Sequence, residues 1–410
     1  MTIVAIDGFD MPRAGCTTHV ASLLILYLES RGFHLLDYPY LVRLNPSVPW
    51  KTRGNAAISF EISGDPSLIY EETVSFLKDY IREYNKKGAI LVSSKRPSSK
   101  IYRMAIETVV HPDVIKEELN DDMLFYGNEG SLIGAAAAAA TVRDLPNFEL
   151  IAYRKSSRKP RKCSFAPFYD HLVLAFYPYV HESSSSVICP RGDDPVLYGL
   201  RGRNLPLLIS LARIIDAEDV HFYTAFRTNQ HSFKPSVAKD VYPYDFKTLD
   251  IEIDSSEIIE VGRDFIVKLN GKNVMIYEES GLRKFLLYLS KSRAKIKGRL
   301  SIIYKPHSIS LAALEIEKAV AINYKSPRCP KCGGAMVSKG SRSLLRKCKK
   351  CGYEAMEPRK LQVEMDLDHQ LIVPIEGRKL HLIGEYSGVP EEDFKGICKR
   401  LEVGCAISFY

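Results

Sequence analysis

Two pairs of cysteines restrict the fold of this chain more than any other feature of its sequence. Each pair has the spacing C-x-x-C and is followed by a glycine, and fifteen residues (333 to 347) separate the pairs. The four residues are Cys329, Cys332, Cys348 and Cys351. Two such turns can direct four thiolates at one ion and close a tetrahedral Zn²⁺ site with no open position. We therefore predict a structural zinc ribbon over residues 325–357, rather than redox-active or coincidental cysteines.

The predicted ribbon is strongly basic. Between residues 325 and 360, eleven lysines and arginines stand against two glutamates, a net charge of +9, whereas the whole chain of 410 residues carries +8. The rest of the chain is therefore close to neutral. Positive charge concentrated on one short segment is typical of a surface that binds nucleic-acid phosphates. We expect RNA to be a partner.

Composition narrows the class of protein further. Hydrophobic residues make up 46% of the chain and charged residues 26%, which is typical of globular proteins. No apolar run approaches the roughly 18 residues of a membrane span, and no signal peptide is evident, so we expect a cytoplasmic protein. In a reducing cytosol, clustered cysteines bind metal more often than they form disulfides. The remaining cysteines are expected to be ordinary buried thiols: Cys16, Cys163, Cys189, Cys398 and Cys405.

The stretch Ile6–Thr18 is the candidate for chemistry. Asp7 and Asp10 follow a short apolar strand, and Thr17 and Thr18 stand where a long apolar helix begins. Carboxylate oxygens suit Mg²⁺, and the free N–H groups of a helix start suit phosphate. An ordinary strand–loop–helix connection with Thr17 or Thr18 as N-cap explains the same pattern. The local residues leave both interpretations open.

The first 145 residues alternate between strand and helix patterns and predict one α/β unit. The predicted strands are 3–6, 35–44, 56–62 and 89–92, and the predicted helices are 20–30, 67–87, 103–110 and a segment around 135–140. The loop 43–55 carries Arg43, Lys51 and Arg53, which offer positive charge to an anionic ligand or simply to solvent. A glycine-rich turn over 127–134 can cradle phosphate or allow close packing of a helix start.

The rest of the chain predicts smaller units. Strands on both sides of a helix indicate an α+β domain over 146–245, which carries the basic run 154–162. From about 250 the pattern becomes mostly β, with a hairpin signal at 270–273 and a helix at 280–289. Three strands, a helix and two strands are the order of an OB-fold barrel, placed at 255–324. We assign no fold to 358–410.

Six short stretches follow one another along the chain: C-T-T at 16–18, R-L-N-P-S-V-P-W-K-T-R-G-N at 43–55, L-I-G-A at 132–135, E-L-I-A-Y-R at 149–154, D-P-V-L-Y-G-L-R-G at 194–202 and F-R-T-N-Q-H at 226–231. In this order they resemble stretches of the archaeal tRNA(Ile) agmatidine synthetases. The resemblance covers about residues 1–357. It implies a multidomain α+β protein with a kinase-like α/β domain (1–145), a ferredoxin-like domain (146–245), an OB-fold barrel (255–324) and a zinc ribbon (325–357).

The resemblance also implies an activity. Members of this family are ATP-dependent ligases that join agmatine to C2 of the wobble cytidine of the isoleucine tRNA with anticodon CAU. ATP is split to AMP, and its γ-phosphoryl group is transferred to a threonine that matches Thr18. Asp7 and Asp10 match family acids that help to hold Mg²⁺ and the phosphates. Agmatine carries a guanidinium, for which a carboxylate is the natural partner.

The remaining site residues fall in or beside the matched stretches. Those expected to bind nucleotide are Lys51, Arg53, Gly54, Asn55 and Gly134. Those expected to bind substrate are Asp193, Asp194, Arg201, Arg227 and Asn229, although capping or turn roles suit the two aspartates equally well. The expected cofactors are ATP, Mg²⁺ and a structural Zn²⁺.

The chain departs from the family opening I-D-D-T-D-S at two positions, because Gly8 replaces the second acid and Phe9 replaces the threonine. The alternative to a ligase is therefore a tRNA-binding homologue without activity. A third interpretation is a ligase of the same architecture that acts on another base or amine. Asp121 or Asp122 is a candidate to supply the missing carboxylate.

Overall fold

The computed structural model describes most of the first 254 residues and shorter segments beyond them. The described residues are 1–10, 15–51, 55–83, 87–120, 122–155, 163–164, 179–180, 185–186, 188–190, 194–230, 232–233, 235–239, 242, 244–254, 258–262, 264–269, 272–276, 294–305, 308–323, 329–338, 345–356 and 361–374. They fall into two compact units. The first holds the described residues up to 233 together with 244–246, and the second holds 235–242 and those from 247 onward.

Six helices and twelve strands are described in the first unit. They are β1 (Thr2–Asp7), α1 (Thr17–Ser30), β2 (Tyr40–Arg43), β3 (Ala56–Ile62), α2 (Pro66–Glu83), β4 (Ala89–Ser93), α3 (Ser99–Glu107), α4 (Pro112–Glu118), β5 (Met123–Gly127), α5 (Glu129–Ala139), β6 (Asn147–Arg154), β7 (Cys163–Ser164), β8 (Tyr179–Val180), β9 (Ser185–Ser186), β10 (Val196–Gly202), α6 (Leu205–Ala212), β11 (Asp216–Ala217) and β12 (Val220–Thr228).

One eight-stranded sheet organises this unit, in the order β10-β6-β12-β2-β3-β1-β4-β5. The pairing of β12 with β2 is parallel, with Arg227 opposite Tyr40, and the other pairs are antiparallel. Strands predicted for 1–145 and for 146–245 therefore belong to the same sheet. The division into two domains at residue 145 stays a prediction.

Helices cover both faces of this sheet. Helices α1 and α2 pack on the face that carries Val4 and Ile6, and this face extends across Ile151 and Tyr153 of β6. Helix α5 packs on the opposite face of β1, β3 and β4, and its alanines are buried there. Alternation along each strand places successive side chains in the two layers. The predicted alanine-rich helix is confirmed, and it begins earlier, at Glu129.

Short polar side chains start several of these helices. Asp65 accepts hydrogen bonds from the N–H groups of Ser67 and Leu68, before α2. Asn128 accepts one from Ser131 at the start of α5, and Asn204 accepts one from Leu207 at the start of α6. Such caps satisfy N–H groups that have no partner within the helix. The short elements α4 and β5 were not predicted from the sequence.

The second unit is built from strands. They are β13 (Phe246–Asp254, whose first residue lies in the first unit), β14 (Ile258–Val261), β15 (Asp264–Leu269), β16 (Lys272–Ile276), β17 (Ala294–Lys305), β18 (Ser308–Asn323), β19 (Met336–Ser338), β20 (Leu345–Cys348), β21 (Glu354–Met356) and β22 (Leu361–Pro374). The hairpin prediction is confirmed, because β15 and β16 pair with Leu269 opposite Lys272. Strand β22, in the segment without a predicted fold, pairs with β18. The predicted helix 280–289 lies outside the described residues.

The expectation for two of the cysteines is wrong. Cys163 and Cys189 are joined by a disulfide, with their Cα atoms 6.1 Å apart. Both pack against the apolar cluster formed by α6 with β6 and β10. They are 26 residues apart in sequence, so no short spacing pattern predicts the disulfide. Cys16 is a free buried thiol, as expected, whereas Cys398 and Cys405 lie outside the described residues.

Candidate active site

Asp7 and Asp10 each accept a hydrogen bond from a main-chain N–H, one at the end of β1 and the other at the start of α1. The N–H of Gly8 donates to Asp7 Oδ1 over 2.7 Å. The N–H of Thr17 donates to Asp10 Oδ1 over 2.9 Å, so a carboxylate lies against the first turn of α1. The N-cap position is Cys16, which makes no capping hydrogen bond with its side chain. The alternative that Thr17 or Thr18 is the N-cap is therefore wrong, because both residues are already helical.

Asp7 is buried between β1 and α5. A Cβ atom at Gly134 would lie 2.0 Å from Asp7 Oδ2, so only glycine leaves room for this carboxylate against the helix. The pKa of Asp7 is raised to about 7. Burial is the main cause and Asp10 contributes to the increase, whereas the hydrogen bond from the N–H of Gly8 lowers the pKa. A buried carboxylate without a counter-charge favours its neutral form. A cation bound here would keep it ionised.

A buried ionic cluster lies on the α1 face of the sheet, near Asp10. At its centre is Glu149, 3% exposed, whose carboxylate is 3.5 Å from the guanidinium of Arg43 and 3.2 Å from that of Arg201. Gln230 also donates to this carboxylate. Burial opposes ionisation of Glu149, but Arg201, Arg43 and Gln230 outweigh it and hold its pKa below the ordinary value. The Asp10 carboxylate also acts electrostatically on Arg43.

Asn229 holds the main chain of Arg43 in place. Its side-chain oxygen accepts from the N–H of Arg43 over 2.8 Å, and its side-chain nitrogen donates to the carbonyl of Arg43 over 3.0 Å. The amide of Asn229 thus continues the pairing of β12 with β2 beyond the end of the strand. This residue was predicted to bind substrate, and its described contacts give it a positioning role.

Thr18 stands beside two other hydroxyl or thiol groups. Its Oγ1 lies 3.1 Å from Cys16 Sγ. Burial raises the pKa of the Tyr153 hydroxyl well above its ordinary value, and Thr18 lowers this pKa. The pKa of Cys16 is raised to about 12, chiefly by burial and also by the carboxylates of Asp194 and Asp10. Asp194 is buried and accepts the N–H of Val196 over 3.0 Å. Thr18 thus contacts Cys16, and the carboxylates of Asp10 and Asp194 act on the Cys16 thiol electrostatically.

Other predicted site residues have different surroundings. Arg227 packs over the ring of Phe148, 5.0 Å from its centroid, and donates to the carbonyl of Leu145. The ammonium of Lys51 donates to the carbonyl of Pro46 over 2.6 Å, and the side chain of Asn55 donates to that of Asn45 over 2.7 Å. Arg53, Gly54, Asp193 and Asp121 lie outside the described residues.

Gly8 occupies a position that a side chain cannot enter. Its φ is +80°, and a Cβ atom there would lie 2.3 Å from the carbonyl oxygen of Lys87 and 2.5 Å from Ser131 Oγ. Asp122 pairs with Lys95 over 3.0 Å. No described contact links it to the site, so it does not replace the missing acid there. Gly8, where the sequence departs from the family, therefore lies where the backbone of Lys87 approaches closely.

The four predicted metal ligands come together, two from the turn before β19 and two from the end of β20 and the turn that follows it. All four sulfur atoms lie within 4.8 Å of one another. The sulfurs of Cys329 and Cys351 lie 3.5 Å apart and those of Cys332 and Cys348 3.4 Å apart, near the ~3.8 Å expected for sulfurs that surround Zn²⁺ tetrahedrally at about 2.3 Å. The glycines after each pair, Gly333 and Gly352, have φ values of +68° and +71°. These turns fit a four-sulfur metal site.

Comparisons with known proteins identify the family. The TiaS TCKD domain matches residues 3–68, and the TiaS FLD domain matches residues 129–234. The isoleucine-tRNA 2-agmatinylcytidine synthetase TiaS from Ignicoccus hospitalis is 42% identical over 407 residues, which are 99% of this chain and 98% of the relative. The chain belongs to the TiaS family. The synthetase of the same name from Saccharolobus islandicus is 31% identical over 384 residues, 86% of this chain and 85% of the relative.

Solved TiaS structures have the same fold. The complex of TiaS with its isoleucine tRNA and ATP matches with a TM-score of 0.70 at 23% identity, covering 94% of this chain and 98% of that one. The complex of TiaS with the same tRNA, AMPCPP and agmatine matches with a TM-score of 0.68 at 20% identity, covering 93% and 96%. This likeness shows that the chain has the mixed α/β architecture of TiaS. Among the described helices, none is long and apolar enough to cross a membrane.

Sequence reasoning missed the centre of the buried cluster in this TiaS chain. Glu149 opens one of the matched stretches, but nothing in its immediate neighbours assigns it a role. A signal was available, because an acid inside an otherwise apolar strand must find buried partners. The arginines that pair with it, Arg43 and Arg201, also lie in matched stretches, which places three buried charges in separate parts of the chain.

Proposed function

We propose that this chain joins agmatine to C2 of the wobble cytidine of the isoleucine tRNA with anticodon CAU, at the expense of ATP. The observation that carries the proposal is the identity of 42% to an isoleucine-tRNA 2-agmatinylcytidine synthetase over almost the full length of both chains. The primary amine of agmatine forms the new bond to C2, and the activated oxygen on that carbon leaves. A tRNA substrate also assigns the enzyme to the cytoplasm.

Asp7, Asp10 and Thr18 are the groups we assign to ATP chemistry. The two carboxylates provide hard oxygen donors of the kind that Mg²⁺ prefers, and the buried Asp7 gains most from a nearby cation. Mg²⁺ would supply positive charge for the phosphates. Asp10 supports the start of α1 through the N–H of Thr17, and this hydrogen bond positions the first turn that carries the Thr18 hydroxyl. Thr18 is the acceptor we propose for the γ-phosphoryl group.

Two further sets of residues are assigned, one to the nucleotide and one to agmatine. We assign Lys51, Arg53, Gly54, Asn55 and Gly134 to the nucleotide site, with Gly134 acting through the room it leaves for Asp7. The guanidinium of agmatine needs a carboxylate partner. Asp194 is our candidate among the described residues, because it lies close to Cys16 and hence to Thr18. Asp193, Arg201 and Arg227 complete the proposed substrate set, with Asn229 as a positioning residue.

The finer architecture is also proposed. We assign a kinase-like domain to 1–145, a ferredoxin-like domain to 146–245, an OB-fold to 255–324 and a zinc ribbon to 325–357. The four sulfurs suit a closed structural Zn²⁺ site, because four protein ligands leave no position for substrate. The basic residues of the ribbon would then face tRNA phosphates.

Mass spectrometry of the tRNA product tests the proposed function. A CAU-anticodon isoleucine tRNA transcript incubated with protein, ATP, Mg²⁺ and agmatine should gain the mass of agmatine minus water at the wobble cytidine. A transcript with another base at that position is the matched control and should stay unmodified. An unmodified cytidine under conditions where the tRNA binds would refute the proposal.

Two further measurements separate the alternatives. An inactive tRNA-binding homologue predicts salt-sensitive tRNA binding without AMP production and without phosphate on Thr18. This alternative is not favoured, since the chain matches a synthetase over almost its full length and Asp10 accepts the N–H of Thr17 at the start of α1. A ligase for another amine would incorporate a different polyamine faster than agmatine in competition.

A further inference from the structure

The only tryptophan of the chain lies on the surface. Trp50 is 63% exposed, which is unusual for the largest apolar side chain. It does not project alone, because its ring packs edge-on against Tyr244, with the centroids 5.3 Å apart and the planes at 66°. The indole ring is therefore held by an aromatic contact while most of its surface is open to solvent.

The loop that carries Trp50 is held at its base by side-chain amides. Asn45 donates to the carbonyl of Tyr244 over 2.9 Å and to that of Thr108 over 3.0 Å. The hydroxyl of Ser47 donates to the carbonyl of Asp245 over 3.4 Å. Tyr244 itself has a φ of +71°, in the left-handed region that residues other than glycine seldom adopt. Backbone strain of this kind persists where the surroundings fix it, and it is frequent at functional sites.

The same loop begins directly beside the candidate active site. Arg43, two residues before Asn45, is the last residue of β2 and pairs with the buried Glu149. Lys51 follows Trp50 and is exposed. An aromatic face next to an exposed cation suits a nucleotide, because the ring can stack on the base while the ammonium lies near a phosphate. The occupant that fits both groups is an unpaired nucleotide of RNA.

We propose that Trp50, supported by Tyr244, is the stacking platform for an unpaired base of the tRNA anticodon loop adjacent to the wobble cytidine. The inference rests on the proposed function. A cytidine that enters a protein site for chemistry loses its stacking on the neighbouring bases, and those neighbours need a new surface. Stacking on one aromatic ring contributes to affinity for any base, so the platform would position the loop without reading its sequence.

Because Trp50 is the single tryptophan, fluorescence excited at wavelengths that tyrosine does not absorb reports on this residue alone. Titration of the full-length protein with the CAU-anticodon tRNA should quench the tryptophan emission. In a set of tRNAs that each carry one abasic nucleotide in the anticodon loop, quenching should be lost for a single position next to the wobble base. Quenching that is equal for all the abasic tRNAs, or that ATP alone produces in full, would overturn the inference.

Variants provide an independent measurement. Trp50→Ala should weaken tRNA binding roughly 5- to 150-fold, the range expected for loss of one base–aromatic stack, whereas Trp50→Phe should retain most of the affinity. Phosphorylation of Thr18 from ATP without tRNA should be unchanged. Tyr126→Ala, which removes an aromatic residue that is 38% exposed on the edge strand β5, is the matched control and should bind tRNA normally.

The outcomes keep this inference distinct from the proposed function. If the wild-type protein forms agmatidine and Trp50→Ala binds tRNA as tightly as wild type, the platform is wrong and the ligase assignment stands. If the wild-type protein binds this tRNA but leaves its cytidine unmodified, the ligase assignment fails first. Circular dichroism of Trp50→Ala checks that loss of binding does not come from unfolding.

Discussion

Restoring the family acid at residue 8 should damage this protein. Gly8 has a φ of +80°, and a side chain placed there would meet the Lys87 carbonyl oxygen at 2.3 Å. The left-handed conformation costs a residue other than glycine about 1–2 kcal/mol. Forcing atoms into a packed site typically costs a further 1–3 kcal/mol or so. We therefore expect Gly8→Asp to lose about 2–5 kcal/mol, a large part of the roughly 5–15 kcal/mol that stabilises a typical domain.

Denaturant unfolding of matched variants separates the two contributions. Gly32 also has a positive φ, +91°, but a Cβ atom there meets nothing within 4 Å. Gly32→Ala should therefore lose only the conformational contribution, about 1–2 kcal/mol. Gly8→Ala should lose clearly more than Gly32→Ala in urea titrations followed by circular dichroism. If Gly8→Ala and Gly8→Asp are as stable as Gly32→Ala, the close approach to Lys87 does not limit this position and the reasoning is refuted.

Three further predictions concern the proposed zinc ribbon, the buried ionic cluster around Glu149 and helix α1. Chelation of Zn²⁺, or Cys348→Ser, should weaken tRNA binding, measured by filter binding, while phosphorylation of Thr18 by ATP is retained. Glu149→Gln should destabilise the protein by about 3–5 kcal/mol in urea titrations, because Arg43 and Arg201 lose their buried counter-charge, whereas Glu72→Gln in a partly exposed pair should have little effect. Burial, with a contribution from His221, lowers the pKa of His19 to about 4. As pH falls below about 6.5, His19 is protonated in the unfolded chain before it is protonated in the folded chain. The free energy of unfolding should therefore drop by about 2 kcal/mol between pH 7 and pH 5. His19→Phe should remove this pH dependence of stability.

Features that depend on neighbouring residues in sequence could be predicted, and those that depend on distant pairing could not. The four candidate metal ligands follow from two short spacings, and the structure brings all four sulfurs together. The hairpin at 270–273 follows from its turn residues in the same way. The disulfide between Cys163 and Cys189 depends on the placement of two segments against α6, which no local pattern encodes.

The ionic cluster around Glu149 shows the same limit in the candidate site. Arg43, Glu149 and Arg201 come from three strands that are not consecutive in the chain, and the pairing of β12 with β2 brings them to one face. Asn229 and Gln230, which follow β12, complete the arrangement through hydrogen bonds to Arg43 and Glu149. The matched stretches marked these residues as a group, but only the sheet order explains why they belong together.

The same sheet order explains how one segment can carry both Asp7 and Asp10 toward different neighbours. Alternation along β1 turns Asp7 toward α5, where Gly134 leaves room for its carboxylate. Beyond Gly8, Asp10 accepts the N–H of Thr17 in the first turn of α1, the helix that packs on the other face of the sheet. A side chain at residue 8 would have to fit between the Lys87 carbonyl oxygen and Ser131 Oγ. Gly8 thus lies between two aspartates that accept different main-chain N–H groups, Asp7 that of Gly8 itself and Asp10 that of Thr17.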